Sequence, residues 1–462
     1  MALHSVDILV VGASGFTGVQ VCKQIARSIG KNAWTSVTWG IAGRSRTRLD
    51  EKVVTPLLEE GLAAPPDEHI VVVDNSDAAG LREAVGRARL CLNCTGPYRF
   101  LGEAVVSACI DAGTDYIDLC GEPEFMQRMT LKYHETAAAK GVLIIHACAF
   151  DSVPADLGCI FAAKQFQPPA VCSSVSSFMT LHTGPAGYVG HATTFEAAVH
   201  GFGSVQELKK LRKDIKEKFP PVEIPRVGAR PEGKGEPFYE RTAGINAYCF
   251  KFPGADASVV RSTQDSLARR GEGSRLCPYY SAYFTAGQLW GATQMTIFGG
   301  MFQTLARSGW GRSLLLNNVE MFSRGVFSHE GPSKEQMEQT SVDIIFVAKG
   351  YSSGEATAST PESAAGAATE GNSTNSTPSG AKPDMTIVTR LKCPEPGYVA
   401  TPIIFLAVAR CLLEERSQLP VSGGVHTPGS MFVNSTLIDR LGQEGVTFEV
   451  MEEKGAASVD GE

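Results

Sequence analysis

Along the first third of the chain, short apolar runs alternate with stretches whose apolar residues recur every three to four positions. Residues 8–11, 37–42, 70–73, 90–94, 116–119 and 142–147 are brief, apolar and largely β-branched, the pattern of strands buried on both faces. Between them, 19–29, 81–88, 104–112 and 125–140 read as helices. Gly113 and Gly141 follow two of these, where C-terminal caps fall. Strand and helix in strict alternation predict right-handed crossovers and an α/β fold, a Rossmann-type doubly wound parallel sheet over residues 1–150.

Beyond about residue 158 the periodicity loosens. Residues 171–181 suit a long strand, 196–218 a charged helix, and 222–252 loops with short extended pieces. The stretch 276–306 contains no Asp, Glu, Lys, Arg or His. It is long enough on paper to reach across a bilayer, and Gly287, Gly291, Gly299 and Gly300 suit close helix packing. Gln288, Gln294 and Gln303 make a full span the least favourable reading, because each carries a desolvation cost in lipid. A core helix pair, a partner interface and a segment lying in a membrane surface stay open. Residues 352–382 are Ser, Thr, Gly, Ala and Pro of low complexity and read as a flexible insertion. A strand over 385–392 and a helix over 401–415 follow, and residues 451–462 read as a frayed acidic tail.

The 462 residues, 43% apolar and 20% charged, belong to a globular chain of more than one domain. A net charge of −7 without a basic block excludes a nucleic-acid partner. The 12 cysteines are scattered, which points to a reducing compartment. Cys91 and Cys94 are a C-x-x-C on a strand, where positions three apart face opposite ways, so they read as core residues. His182, His191 and His200 lack the H-E-x-x-H context of a zinc site, so no metal is expected. The first residues carry neither a basic n-region nor an apolar h-region, and an intracellular protein is expected.

The sharpest chemical signal is Gly12-Ala-Ser14-Gly15-Phe16-Thr17-Gly18, directly after the first strand and before the first helix. That is the place of a dinucleotide fingerprint. Gly12 permits the tight turn, Gly15 lets backbone approach a pyrophosphate, and Gly18 lets helix pack on sheet. The second strand leads into Arg44-Ser45 where an NAD site would carry an acidic residue. A guanidinium and a hydroxyl suit the 2′-phosphate of NADP(H) instead. Three further motifs fall at strand ends, where cofactor and substrate meet in such sheets. They are Asn93-Cys-Thr-Gly96-Pro97-Tyr98, Asp118-Leu-Cys-Gly-Glu122-Pro and Phe150-Asp151-Ser152-Val-Pro. Nicotinamide reduction needs a proton donor; Tyr98 leads, with Glu122, Asp151 and His191 behind it. For Asp151 or Ser152 an equal alternative is capping of the next helix.

Taken together, these motifs and Pro396-Gly-Tyr-Val-Ala-Thr-Pro-Ile resemble the saccharopine dehydrogenase-like oxidoreductases, and are similar to trans-acting enoyl reductases of lipid synthesis. The resemblance implies Gly12, Ser14, Gly15, Phe16, Arg44, Ser45, Gly96 and Pro97 as cofactor contacts, with Thr17, Gly18 and Asn93 in the same motifs. It implies that 395–450 completes the first domain while 151–394 forms a second, α+β mixed-sheet domain for substrate or dimerisation. It also implies association with a lipid droplet or cytoplasmic membrane surface in preference to a mitochondrion, and leaves a homodimer open. A saccharopine reductase must grip three carboxylates. Near the strand-end motifs only Arg99 is at hand, and Arg226, Arg230 and Arg241 have no assignable place. The expected activity is therefore NADP(H)-dependent reduction of a lipid-linked or apolar substrate in lipid or glycolipid metabolism. The alternatives are lysine-pathway chemistry on saccharopine and a non-catalytic nucleotide-binding protein of lipid surfaces.

Overall fold

A computed structural model describes residues 4–31, 34, 36–273, 275–353 and 382–454. Sixteen strands run in chain order among these residues. They are β1 Val6–Val11, β2 Trp39–Gly43, β3 Ile70–Val72, β4 Ala88–Asn93, β5 Asp115–Asp118, β6 Leu143–Ile145, β7 Val171–His182, β8 Gly190–His191, β9 Phe238–Glu240, β10 Ala247–Lys251, β11 Tyr279–Thr285, β12 Phe327–Ser328, β13 Ser341–Tyr351, β14 Met385–Pro394, β15 Gly424–His426 and β16 Thr447–Lys454.

The first sheet has the order β15-β6-β5-β4-β1-β2-β3 and is parallel throughout. This is the expected doubly wound sheet. Its central strands are buried because helices cover both faces, which is why 8–11 and 90–92 are apolar at every position, while Val72 on the edge strand β3 is exposed. The strand order reverses between β1 and β4, and the crevice at their carboxyl ends is where such sheets bind ligands. β15 arrives from far along the chain, and the helix Thr401–Glu415 packs on the helix Phe16–Gly30. The apolar segment 396–418 is long enough to cross a membrane, yet it is mostly buried in this core.

The second sheet is mixed, with order β16-β14-β13-β7-β11-β10-β9; only β7 and β11 run parallel. A third, two-stranded sheet pairs β8 with β12.

Several local expectations change. The single helix expected over 196–218 is two, Ala192–Gly203 and Val205–Lys218, broken at Ser204, whose hydroxyl bonds back to the His200 carbonyl at 2.6 Å. Residues 451–454, expected in a frayed tail, form the end of β16, where Glu452, Glu453 and Lys454 pair with Val388, Ile387 and Thr386 and so satisfy their backbone. The uncharged stretch divides at Gly287 (φ +66°) into β11, inside the second sheet, and the helix Leu289–Ala306. Among the described residues the one helix both long and apolar enough to cross a membrane is Pro396–Gln418, not Leu289–Ala306. The low-complexity insertion lies, from 354 to 381, outside the described residues, as does the tail beyond 454.

Candidate active site

The glycine turn is built as its spacing demands. Gly12 adopts φ +79°, a left-handed conformation in which a side chain would meet Thr95. A β-carbon on Gly18 would run into the carbonyl oxygens of Gly12 and Ala13. Gly15 is the N-cap of the helix Phe16–Gly30 and brings no side-chain cap. The first amide groups of that helix therefore point into the crevice without a protein side-chain partner, the arrangement that receives a diphosphate.

At the end of β2, the Ser45 hydroxyl accepts the Arg48 amide at 3.3 Å and keeps its own proton. Arg46 is bound to Asp50 at 3.0 Å and to Asp67. Arg44 stands 75% exposed, with Asp74 at 4.0 Å as its ion-pair partner. A guanidinium this free is available to a 2′-phosphate.

The four proton-donor candidates fare differently. Tyr98, the leading one, is buried; its hydroxyl donates to the Asn93 carbonyl at 2.8 Å and accepts the Leu119 amide at 3.2 Å. Its proton thus joins β4 to β5 and does not reach the crevice. Glu122 is buried as well, accepting the Tyr98 amide at 2.8 Å and the Arg99 guanidinium at 2.9 Å. His191 caps the helix Ala192–Gly203 through Nδ1, which accepts the Thr193 amide at 3.2 Å. That acceptor role places the proton on Nε2. Burial, followed by the nearby His329, lowers the pKa of His191, so the ring is neutral. Asn93, expected at the cofactor, is buried and instead holds Tyr116 at 3.0 Å and the Thr95 amide at 3.0 Å.

Asp151 is the remaining candidate. Ser152, not Asp151, is the N-cap of the helix Val153–Lys164, and it makes no side-chain cap bond. The Asp151 carboxylate has no hydrogen-bond or ion-pair partner among the described residues, and a β-carbon on Gly121 would lie 2.9 Å from it. Asp151 is an exposed residue, yet protein atoms packed near its carboxyl desolvate it and push its pKa up to about 6.

The contacts among the remaining motif residues are set by tertiary packing. Phe16, the first residue of the cofactor helix, stacks on His191 (centroids 4.9 Å apart) and meets the edge of Tyr398 at 4.7 Å. The Tyr398 hydroxyl accepts the His191 amide at 2.7 Å. Glu395 seats this turn by accepting the amides of Gly397, Tyr398 and Val399 at 2.8, 2.6 and 3.1 Å. Asp118 stiffens the end of β5, taking Cys120 and Ala147 amides at 3.1 and 2.9 Å and His146 at 2.7 Å. No grouping of three or more His, Cys, Asp or Glu suited to a metal occurs among the described residues, and the described cysteines are unpaired.

A parallel sheet with a glycine elbow, an uncapped helix end and an acid-free turn after β2 defines a Rossmann-type NADP(H)-binding protein. Comparison with known proteins narrows this. The saccharopine dehydrogenase NADP-binding domain family matches residues 8–145. A saccharopine dehydrogenase-like oxidoreductase of Rattus norvegicus is 38% identical over 447 residues, covering 96% of this chain and 97% of the relative. A Caenorhabditis elegans protein called lipid droplet localized protein is 30% identical, covering 97% and 98%. Among solved structures, saccharopine dehydrogenase (L-Glu forming) of Saccharomyces cerevisiae shares the fold, with TM-score 0.52, 10% identity and coverage of 97% and 100%. The chain belongs to the saccharopine dehydrogenase-like oxidoreductase family.

Proposed function

We propose that this chain reduces an apolar, lipid-linked substrate with NADPH, and that Asp151 delivers the proton. The cofactor, when bound, supplies a hydride. The uncapped helix end and Arg44 hold its phosphates, Gly96 and Pro97 pass beside it, and the Asp151 carboxylic acid donates to the atom left negative by hydride addition. A carboxyl that titrates near pH 6 is suited to give a proton close to neutrality.

One observation carries the substrate class: of the arginines a tricarboxylate could call on, Arg99 and Arg226 are committed to the protein. Arg99 binds Glu122, the His200 carbonyl at 3.2 Å and Ser204 at 3.0 Å. Arg226 binds the Cys277 and Pro278 carbonyls at 3.0 and 2.5 Å and Gln264 at 2.8 Å. Arg241 sits over the Tyr239 ring on β9, at the far edge of the second sheet. The name of the worm relative adds support for work at a lipid droplet or membrane surface.

The test is NADPH consumption by the purified full chain. Dispersed enoyl and keto lipids should be reduced, while aminoadipate semialdehyde with glutamate should not. Turnover confined to the latter pair would overturn the lipid reading, and no turnover with either would favour a non-catalytic nucleotide-binding role.

A further inference from the structure

The phenols near the strand ends are committed to the protein, with one exception. The Tyr98 hydroxyl joins the Asn93 carbonyl to the Leu119 amide, Tyr116 donates to Asp118 at 2.9 Å, and Tyr398 accepts the His191 amide. Tyr280, on β11, pairs with the Ser177 hydroxyl at 2.7 Å. Tyr188, in the loop from β7 to β8, is half-buried, and its hydroxyl has no hydrogen-bond partner among the described residues. A hydroxyl drawn out of water without a partner costs stability, so folding does not explain its place.

The loop is nonetheless built to hold that ring. Gly187 takes φ +72°, and its amide donates to the Gly184 carbonyl at 3.0 Å, closing a tight turn just before Tyr188. Gln336 donates to the Ala186 carbonyl and Gln339 accepts the Ala186 amide, each at 3.1 Å. The ring then folds back over Gly190, where a β-carbon would stand 3.6 Å from the hydroxyl. The next residue, His191, lies on Phe16 at the start of the cofactor helix. Burial above all, and then the neighbouring Glu395, Tyr398 and Asp151, push the Tyr188 pKa up, so the phenol keeps its proton at neutral pH.

A phenol that keeps its proton and a carboxyl that gives its proton away do different work. When a hydride adds to a carbonyl, or to a C=C bond conjugated with one, an electron pair moves onto the carbonyl oxygen. A donor already fixed at that oxygen stabilises the charge as it develops. We propose that the Tyr188 hydroxyl is that donor, holding the carbonyl oxygen of the substrate while Asp151 supplies the proton. The substrate then carries a carbonyl at, or conjugated with, the bond that is reduced. Two electrons arrive with the hydride of NADPH. One proton leaves Asp151 for the carbonyl oxygen or for the carbon beside the carbonyl, and Tyr188 keeps its own. The proposal rests on the reductase reading and adds the chemical class of its substrate.

The experiment is Tyr188→Phe in the full chain, with keto and enoyl lipids offered separately. For whichever lipid is reduced, kcat should fall by about 100-fold or more, with KM, NADPH affinity and the melting temperature little changed. The loss of turnover above about pH 6, assigned to Asp151, should persist in the variant. An unchanged kcat, a loss confined to KM, or a melting temperature lower by several degrees would overturn the proposal. A second measurement reads the contact without turnover. Each lipid, isotope-labelled at its carbonyl carbon, is mixed with NADP+ and protein, and its carbonyl infrared stretch is recorded. The stretch should fall to lower frequency on binding wild type and stay at its free value with Tyr188→Phe. The same stretch with both proteins would overturn the proposal even where no NADPH is consumed. A failure of the Asp151 reading appears separately, as a pH limb that survives Asp151→Asn while Tyr188→Phe still lowers kcat.

Discussion

Arg44 offers the cleanest separation of cofactor recognition from folding. Its side chain is 75% exposed, and its ion pair with Asp74 spans 4.0 Å. An exposed pair of this kind contributes about 0–1 kcal/mol, so Arg44→Ala should leave the unfolding midpoint nearly where it was. Its contact with a 2′-phosphate is another matter. A charge-assisted hydrogen bond contributes roughly 1.5–3 kcal/mol, and at about 1.4 kcal/mol per decade its loss weakens NADPH by about 10- to 150-fold. Asp74, freed of its partner, then repels the phosphate and pushes the loss toward the upper end. NADH carries an uncharged 2′-hydroxyl at that position and should bind the variant nearly as it binds wild type. Calorimetric titration of both cofactors at one fixed ionic strength reads the ratio directly, since salt screens exposed charges. A parallel loss for NADPH and NADH, or no loss for NADPH, would show that Arg44 does not recognise the 2′-phosphate.

Gly18→Ala pushes a methyl into the carbonyls of Gly12 and Ala13. Overpacking of this kind costs about 1–3 kcal/mol, and if it spreads the phosphate turn, NADPH should bind about 10- to 100-fold more weakly with unchanged circular dichroism; full affinity would contradict the turn's role. For Asp151 the sign of the pH effect follows from its carboxyl lying at about 6 against 3.8 when unfolded. The folded chain then holds that proton more tightly, so stability drains away as pH rises from about 4 through about 6, and Asp151→Asn should remove this loss. Turnover should fall above the same pH in wild type, and a limb unchanged in Asp151→Asn would reassign the donor. Glu122→Ala strands the Arg99 guanidinium, which is 11% exposed. It should cost about 3–5 kcal/mol in urea unfolding, with part recovered in Glu122→Ala/Arg99→Met; a cost under about 1 kcal/mol would mean the pair is solvated.

The sequence alone determined whatever depends on neighbours along the chain. Alternating apolar runs and helical periods specify a doubly wound sheet because burial on both faces demands them. Gly12, Gly15 and Gly18 are readable because a left-handed turn, a close backbone approach and a tight helix crossing each exclude a side chain locally. The missing acid at Arg44-Ser45 is likewise a local fact of charge.

Tertiary structure decided which side chains are free. Tyr98 has the chemistry of a donor, but its hydroxyl is matched to a carbonyl and an amide at the ends of two strands. The Asp151 carboxylate has no hydrogen-bond or ion-pair partner among the described residues, whereas Asp118 and Asp156 are both bonded. Phe16, His191 and Tyr398 come from three distant parts of the chain, and only packing brings their rings together. The uncharged stretch between residues 276 and 306 is uniform in composition, yet β11 is a strand of the second sheet while Trp290 faces solvent. Composition reports that a segment lacks charge. Which of its faces is covered depends on what else the chain folds against it.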